Sequence, residues 1–203
     1  MSIDPTLLER VTGARPVNLA LLRGEPFTGV STDTRTVQSG ELFVALHGDR
    51  FDGHDFLKEA FDRGAAAAVV DANWLAHARI DFGTPPLVGV PDTLKALHEL
   101  ALAHRRRFDM PLIAIAGSNG KTTTKELTAS VLGQRWRVLR TEGTLNNHLG
   151  VPLTLLRLEP THRAAVIELG MNHIGEVAAL CEIAEPTHGL ITNIGREHLE
   201  FLG

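Results

Sequence analysis

Short apolar runs alternate with polar or helically spaced segments along most of this chain. In the first half, the runs are bounded by glycine or proline, which predicts buried strands. The predicted strands are residues 29–35, 40–46, 65–70 and 87–90. Together with the helices between them, they predict a small α/β domain that covers residues 1–109.

Three helical segments are predicted in this half. Residues 7–22 are expected to form a short helix and a connection that Pro16 interrupts. The second helix ends at Gly64, where a glycine commonly caps a helix C-terminus. Asp92 is a natural N-cap for the third, whose apolar side chains include Leu97.

From residue 111 onward, strands and helices alternate in regular order. Strands are predicted at 111–116, 137–141, 164–169 and 188–194, with later helices at 152–158 and 175–183. Leu127 and Val131 are expected to mark the buried face of the helix that follows the first of these strands. Such alternation favours a doubly wound, mostly parallel sheet, which gathers ligands at the carboxyl ends of its strands.

A glycine-rich turn joins the first of these strands to its helix. Gly117 and Gly120 can adopt conformations closed to other residues, so successive N–H groups can face a phosphate. The helix N-terminus adds unpaired N–H groups, and Lys121 adds a positive charge. The turn therefore predicts a P-loop for a nucleoside triphosphate; the alternative is a structural turn with a solvated lysine. Its residues are Gly117, Ser118, Asn119, Gly120, Lys121, Thr122 and Thr123.

This loop is shorter than the general pattern G-x-x-x-x-G-K-[ST], because its first glycine comes two positions later. Two oxygen ligands for Mg²⁺ are nevertheless predicted beside it. The Thr122 hydroxyl follows the lysine, and Glu168 ends the apolar run 164–167 at the same edge of the sheet. The alternative for Glu168 is a solvated carboxylate at a strand end.

Three further polar segments follow strands. Asn146 and Asn147 could orient phosphates or metal-bound water, but an ordinary turn explains them equally well. The segment 170–173 could extend the site. His198 could contact phosphate or nucleotide, although a histidine in a loop is more often structural or solvated.

Composition narrows the possible functions. A net charge of −4 does not favour a nucleic-acid partner, so Arg105–Arg107 is interpreted as a solvated helix end. A single cysteine, Cys181, excludes an internal disulfide and a thiolate zinc cluster. The N-terminal residues do not resemble a secretion signal, and no stretch has membrane-spanning length. We expect a cytoplasmic monomer without membrane insertion.

Several of these segments together resemble the Mur ligases of peptidoglycan synthesis. Within that family, 145–152 and 168–173 are most similar to ligases that add D-alanyl-D-alanine to UDP-N-acetylmuramoyl-tripeptide. The resemblance covers essentially the whole chain. The matching segments are 31–35, 42–46, 51–55, 117–123, 146–152, 168–173 and 196–199.

The resemblance implies an amide ligase that depends on ATP and Mg²⁺. In this family the γ-phosphoryl group passes to the terminal carboxylate of the UDP-linked peptide, and the incoming amine attacks the acyl phosphate. Lys121, Glu168 and His198 would then be catalytic, and Thr122 and Glu168 would bind the metal. Asn147 would contact the nucleotide.

The same resemblance implies a UDP-sugar-peptide-binding domain at 1–109 and the first part of the ATP-binding domain at 110–203. Ser31, Asp33 and Arg35 would lie at the UDP-sugar end, although Asp33 and Arg35 could be structural.

Family members continue beyond the position of Gly203, so we expect an amino-terminal fragment that does not ligate. The alternatives are a sister Mur ligase that adds the third amino acid, or a regulatory module that binds nucleotide without ligating.

Overall fold

A computed structural model of the chain describes residues 2–22, 24–48, 51–78 and 85–195. The chain divides into two compact units, Met1–Ala103 and His104–Gly203. Within the described residues, no helix is both long enough and apolar enough to span a membrane.

The first unit contains a five-stranded sheet. Its order is β1-β5-β4-β3-β2, in which β1 is antiparallel to β5 and the other neighbours are parallel. All four predicted strands of this half are present, but those predicted at 29–35 and 40–46 are much shorter, at two and three residues. The strands are β1 (Arg15–Val17), β2 (Val30–Ser31), β3 (Leu42–Val44), β4 (Ala67–Asp71) and β5 (Leu87–Val90).

Helices cover this sheet and close its core. Phe43, Leu57, Val70 and Leu87 belong to one buried apolar cluster, which removes their side chains from water. Asp92 accepts a hydrogen bond from the Lys95 N–H at 2.9 Å, as expected of an N-cap. The α-helices are α1 (Leu57–Asp62), α2 (Ala72–His77) and α3 (Thr93–Arg105), and 3₁₀ helices form at Pro5–Arg10, Leu19–Leu22 and Gly53–Phe56.

The predicted helix and connection at 7–22 were wrong in part. Two 3₁₀ helices flank a short strand, β1, in which Pro16 pairs with Val88. Because β1 is an edge strand, the missing N–H of Pro16 costs no hydrogen bond inside the sheet.

The second unit contains a four-stranded parallel sheet with the order β7-β8-β6-β9. α4 packs against β6, β7 and β8, and α6 packs against β6. The strands are β6 (Leu112–Ala116), β7 (Val138–Arg140), β8 (Ala164–Glu168) and β9 (His188–Ile191); the helices are α4 (Lys121–Gly133), α5 (Gly150–Leu155) and α6 (Glu176–Ala184). The prediction of an α/β fold with mostly parallel strands is confirmed.

The strand order places the polar segments together. β6 lies between β8 and β9, so later strands of the chain pair with it on both sides. At such a reversal of strand order, a crevice opens at the carboxyl ends of the strands. Ile115 is in register with Glu168 on β8 and with Leu190 on β9. The turn at 117–120 and Glu168 therefore occupy the same edge of the sheet.

The predicted buried face of α4 was wrong. Leu127 is 63% exposed and Val131 is 71% exposed, whereas Lys125 and Ala129 are buried. The preceding turn fixes the rotational phase of the helix, because Lys121 contacts the carbonyls of that turn. Each residue turns an α-helix by about 100°, so positions 125 and 127 lie on nearly opposite faces, and 125 and 129 meet the sheet.

The arginines at 105–107 are not all solvated, as had been predicted. The buried Arg105 guanidinium donates to the backbone oxygens of Phe108 at 2.6 Å and Ala184 at 3.2 Å. Arg106 forms an ion pair with Glu185 at 2.5 Å. The carbonyls at a helix C-terminus lack intrahelical partners, and Arg105 satisfies one at the end of α6.

Candidate functional site

The turn between β6 and α4 has the backbone geometry of an anion site. Gly117 has φ +125° and Gly120 has φ +82°, both in the left-handed half of conformational space. Gly120 is the N-cap of α4 and makes no side-chain capping bond. The first-turn N–H groups of α4 are therefore free of a side-chain cap and can bind an anion at the positive end of the helix dipole.

The segment after β9 holds this turn in place. The Asn193 side-chain oxygen accepts from the Asn119 N–H at 2.8 Å, and the Asn193 carbonyl accepts from the Ser118 N–H at 3.0 Å. Thr192 donates its hydroxyl to the Asn119 carbonyl at 2.6 Å, while the Gly195 N–H donates to the Ser118 hydroxyl at 2.8 Å. Sequence reasoning did not single out Thr192 or Asn193, because their contacts arise only from the pairing of β9 with β6.

Lys121 lies against the same turn. Its ammonium donates to the carbonyls of Gly117 at 2.6 Å and Ser118 at 2.9 Å. These bonds keep a positive charge next to the N–H groups of the turn, so the turn and the lysine form one candidate anion site.

Glu168 is nearly fully buried beside α4. Its Oε2 accepts from the Thr122 hydroxyl at 2.9 Å, and its Oε1 accepts from the Asn146 amide at 2.9 Å. Its backbone N–H donates to the buried Thr141 hydroxyl at 2.9 Å. Glu168 is therefore a fixed carboxylate, and the alternative of a solvated strand end is wrong.

The contacts of Glu168 fit a Mg²⁺ site. The Thr122 hydroxyl and the Glu168 carboxylate bring two hard oxygen ligands together, and Mg²⁺ commonly keeps several waters and substrate phosphates as its other ligands. No group of three or more His, Cys, Asp or Glu side chains in the described ranges could hold a metal ion alone. A site of this composition thus suits Mg²⁺ that arrives with a nucleotide.

Lys125 was missed by the sequence analysis. It lies four residues after Lys121 and three after Thr122, so all three share one face of α4. Its side chain is 2% exposed, and its Nζ lies 3.8 Å from Glu168 Oε2. The helical spacing from the P-loop lysine was the signal that could have found it.

The two asparagines at 146–147 have different surroundings. Asn146 contacts Glu168, as described above. The Asn147 side-chain oxygen accepts from the N–H groups of Leu149 at 3.1 Å and Gly150 at 2.9 Å, at the start of α5. Asn147 is thus engaged in a local turn, and its assignment as a nucleotide contact stays a prediction.

A local turn at the end of β2, in the first unit, contains Ser31, Asp33 and Arg35. The Ser31 hydroxyl donates to the Asp33 carbonyl at 3.0 Å, and Arg35 Nη2 donates to Asp33 Oδ2 at 2.6 Å. This bond to Arg35 is the main reason that the pKa of Asp33 lies below its usual value. The exposed Arg35 could also meet an anionic ligand, so the UDP-sugar assignment stays a prediction.

Two further candidates remain without a confirmed role. The N–H groups of Asn172 and His173 donate to Glu176 at 2.6 and 3.1 Å, and these bonds lower the pKa of Glu176. They fix the start of α6. His198 and the segment 196–199 lie outside the described residues.

Comparison with known proteins identifies a family for both halves of the chain. Residues 26–105 match the model described as "Mur ligase family, catalytic domain". Residues 115–203 match the model described as "Mur ligase middle domain".

Individual relatives agree with the family models. A UDP-N-acetylmuramoyl-tripeptide–D-alanyl-D-alanine ligase from Synechocystis sp. is 46% identical over 176 residues, which are 86% of this chain and 37% of the relative. A crystal structure of MurF from Acinetobacter baumannii matches with a TM-score of 0.87 and 36% identity, covering 100% of this chain and 43% of that one.

A MurF ligase from Thermotoga maritima in complex with ADP matches with a TM-score of 0.73 and 32% identity, covering 84% of this chain and 38% of that one. The chain thus spans less than half the length of these relatives. On the matches to both of its halves, the chain belongs to the Mur ligase family.

Proposed function

We propose that this chain provides the UDP-substrate and nucleotide sites of an ATP-dependent ligase that joins D-alanyl-D-alanine to UDP-N-acetylmuramoyl-tripeptide. One observation carries the proposal: Lys121, Thr122 and Glu168 converge behind an anion-binding turn. The 46% identity to a ligase of this specificity supports the choice of substrates.

In the proposed reaction, the protein has to bind and orient the polyphosphate and to hold Mg²⁺. A γ-phosphoryl group passes to the tripeptide carboxylate, and the amine of D-alanyl-D-alanine then displaces phosphate. The turn at 117–120 and Lys121 would bind the polyphosphate and orient it, which lowers the entropic part of the barrier. Thr122 and Glu168 would hold Mg²⁺, which when bound neutralises charge on the phosphate oxygens.

The two units would bind different ligands. Residues 1–109 would bind the UDP-sugar-peptide, with Ser31, Asp33 and Arg35 at the UDP-sugar end. Residues 110–203 would bind the nucleotide, with Asn147 and His198 as supporting contacts.

Calorimetric titration of the 203-residue chain tests the substrate assignment. We expect saturable binding of UDP-N-acetylmuramoyl-tripeptide that is tighter than binding of its dipeptide precursor. A preference for the dipeptide would indicate the sister ligase that adds the third amino acid. Nucleotide binding without affinity for either UDP compound would indicate a regulatory module and contradict the proposal.

Substitution of the P-loop lysine tests the nucleotide site. We expect Lys121→Met to weaken Mg·ATP binding by about tenfold or more, because a full charge next to the phosphates is lost. Lys58→Met is the matched control, since Lys58 lies on the exposed surface of α1 in the first unit. Equal ATP affinity in the Lys121→Met chain and in its parent would count against a phosphate site.

Ligation itself is tested in a chimera in which this chain replaces the matching part of the Synechocystis ligase. We expect the chimera to form the pentapeptide product from ATP and both substrates, and Lys121→Met to abolish it. A chimera that binds both ligands but forms no product would contradict the proposed reaction.

A further inference from the structure

A lysine ammonium is buried behind the proposed metal site. The Lys125 side chain is 2% exposed, and its Nζ lies 3.1 Å from Glu126 Oε1 and 3.8 Å from Glu168 Oε2. A buried ammonium is costly unless anions compensate its charge. Among the described residues, these two carboxylates are the anions with which it forms ion pairs.

The two carboxylates differ in their surroundings. Glu168 is 4% exposed, and its Oε2 is the same oxygen that accepts from Thr122. Glu126 is 46% exposed and is also paired with Arg140, at 3.3 Å. Lys125 is thus shared between an inner carboxylate in the site and an outer carboxylate at the surface.

We propose that Lys125 is a positioning residue that makes metal binding at Glu168 depend on bound nucleotide. Without nucleotide, the Lys125 ammonium already compensates the Glu168 carboxylate and repels an incoming divalent cation. A bound polyphosphate would add negative charge near Thr122 and Glu168, and the site then favours the cation. The inference rests on the proposed nucleotide site and adds to it the way in which the metal is admitted.

The measured quantity is the coupling between two ligands. The coupling ratio is the Mn²⁺ dissociation constant without ADP divided by the Mn²⁺ dissociation constant with ADP. By linkage, it equals the ADP dissociation constant without metal divided by the ADP dissociation constant with metal. A residue that only supports the fold changes both constants by a similar factor and leaves their ratio unchanged. A residue that acts as proposed changes the ratio.

Mn²⁺ binding, followed by electron paramagnetic resonance at constant pH, provides the test. In the Lys125→Met chain, we expect Mn²⁺ alone to bind about tenfold more tightly than in the parent, because the repelling charge is removed. The change in the presence of ADP is expected to be smaller, so the coupling ratio falls. Lys125→Arg keeps the positive charge and is expected to retain the ratio. Lys58→Met serves as the surface control.

A second variant changes the same contact in the opposite direction. Glu126→Gln leaves Lys125 with Glu168 as its remaining carboxylate partner, so we expect weaker binding of Mn²⁺ alone and a larger ratio. Because Glu126 is half exposed, this variant tests the inference even if Lys125→Met fails to fold, as checked by circular dichroism. Glu182→Gln on the exposed surface of α6 is its control.

The outcomes are distinguishable. If the parent binds Mn²⁺ neither alone nor with ADP, the proposed function fails and this inference fails with it. If the parent shows coupling but folded Lys125→Met and Glu126→Gln leave the ratio unchanged, only the inference is overturned.

Discussion

At the scale of single residues, the two glycines of the phosphate loop are required for different reasons. A Cβ at Gly117 would lie 2.3 Å from the Thr192 hydroxyl and 2.8 Å from the Asn193 carbonyl. A Cβ at Gly120 would meet nothing within 4 Å, so only its φ of +82° favours glycine there. The first position is limited by space and conformation, the second by conformation alone.

This difference predicts unequal effects of the same substitution. We expect Gly120→Ala to lower the free energy of unfolding by about 1–2 kcal/mol, the cost of a left-handed alanine. Gly117→Ala adds overpacking against 192–193 and should cost at least about 3 kcal/mol, with loss of ADP binding. Urea unfolding and ADP titration measure both effects. Equal losses in the two variants would contradict the described contacts of Gly117.

At the scale of elements, the face of α4 that packs against the sheet has few large apolar side chains. Lys125 and Ala129 are buried, whereas the larger apolar side chains of Leu127 and Val131 face solvent. Toward the sheet, α4 therefore packs with Ala129, the partly buried Leu132 and the paired charge of Lys125.

This orientation predicts how α4 tolerates substitutions. We expect Leu127→Gln to change the free energy of unfolding by less than about 0.5 kcal/mol, because the side chain is exposed. Ala129→Leu should cost about 1–3 kcal/mol, because the new atoms must enter the packed cluster with Ile115 and Val166. Urea unfolding compares them. A larger loss in Leu127→Gln would mean that α4 is rotated in solution.

The end of α6 gives a second prediction at this scale. Arg105→Met removes the donor that serves the carbonyls of Phe108 and Ala184, and we expect it to cost about 1–3 kcal/mol. The neighbouring exposed Arg107 provides the control, with Arg107→Met expected within about 0.5 kcal/mol of the parent. Thermal and urea unfolding of both variants decide the result; two neutral substitutions would contradict a role for Arg105 in holding α6.

At the scale of the whole molecule, two buried histidines predict acid sensitivity. Burial is the main cause that lowers the pKa of His104 and of His162 from the usual 6.5. The Nε2 of His104 donates to the Leu158 carbonyl at 3.1 Å, and among the described atoms its Nδ1 has no hydrogen-bond partner. Protonation of the folded His104 therefore places an unpaired charge in the core.

The sign of the effect follows from proton linkage. Below pH 6.5 the unfolded chain binds more protons at these histidines than the folded chain does, so stability is complete above pH 6.5 and falls on acidification. Carboxylates with lowered pKa, such as Asp33 and Glu176, lose their contribution at lower pH, below about 4.5.

We therefore expect the free energy of unfolding to decrease from pH 7 to pH 5, and His104→Gln to make this decrease shallower. The exposed His77→Gln is the control and should keep the slope of the parent. Urea unfolding at several pH values measures the slopes. A parent curve that is flat over this range would contradict the buried, neutral state of His104.

Several features could be predicted from local pattern because local physics determines them. The strands at 87–90 and 164–168, the N-cap at Asp92 and the glycine turn before Lys121 all depend on residues close together in the sequence. The edge strand at Arg15–Val17 could not be predicted this way, because it exists only by pairing with β5. Likewise, Asn193 became part of the loop's surroundings only through the position of β9.

The sequence by itself determined the alternation of strands and helices, the conformational freedom of the phosphate loop and the residue types that suit polyphosphate and Mg²⁺. Tertiary structure decided which face of α4 is buried, that Asn146 rather than Asn147 contacts Glu168, and that Lys125 lies beside the same carboxylate. The physical reason is that backbone preference acts over a few residues. Burial and charge pairing depend on segments more than 20 residues apart that only the packed sheet brings together.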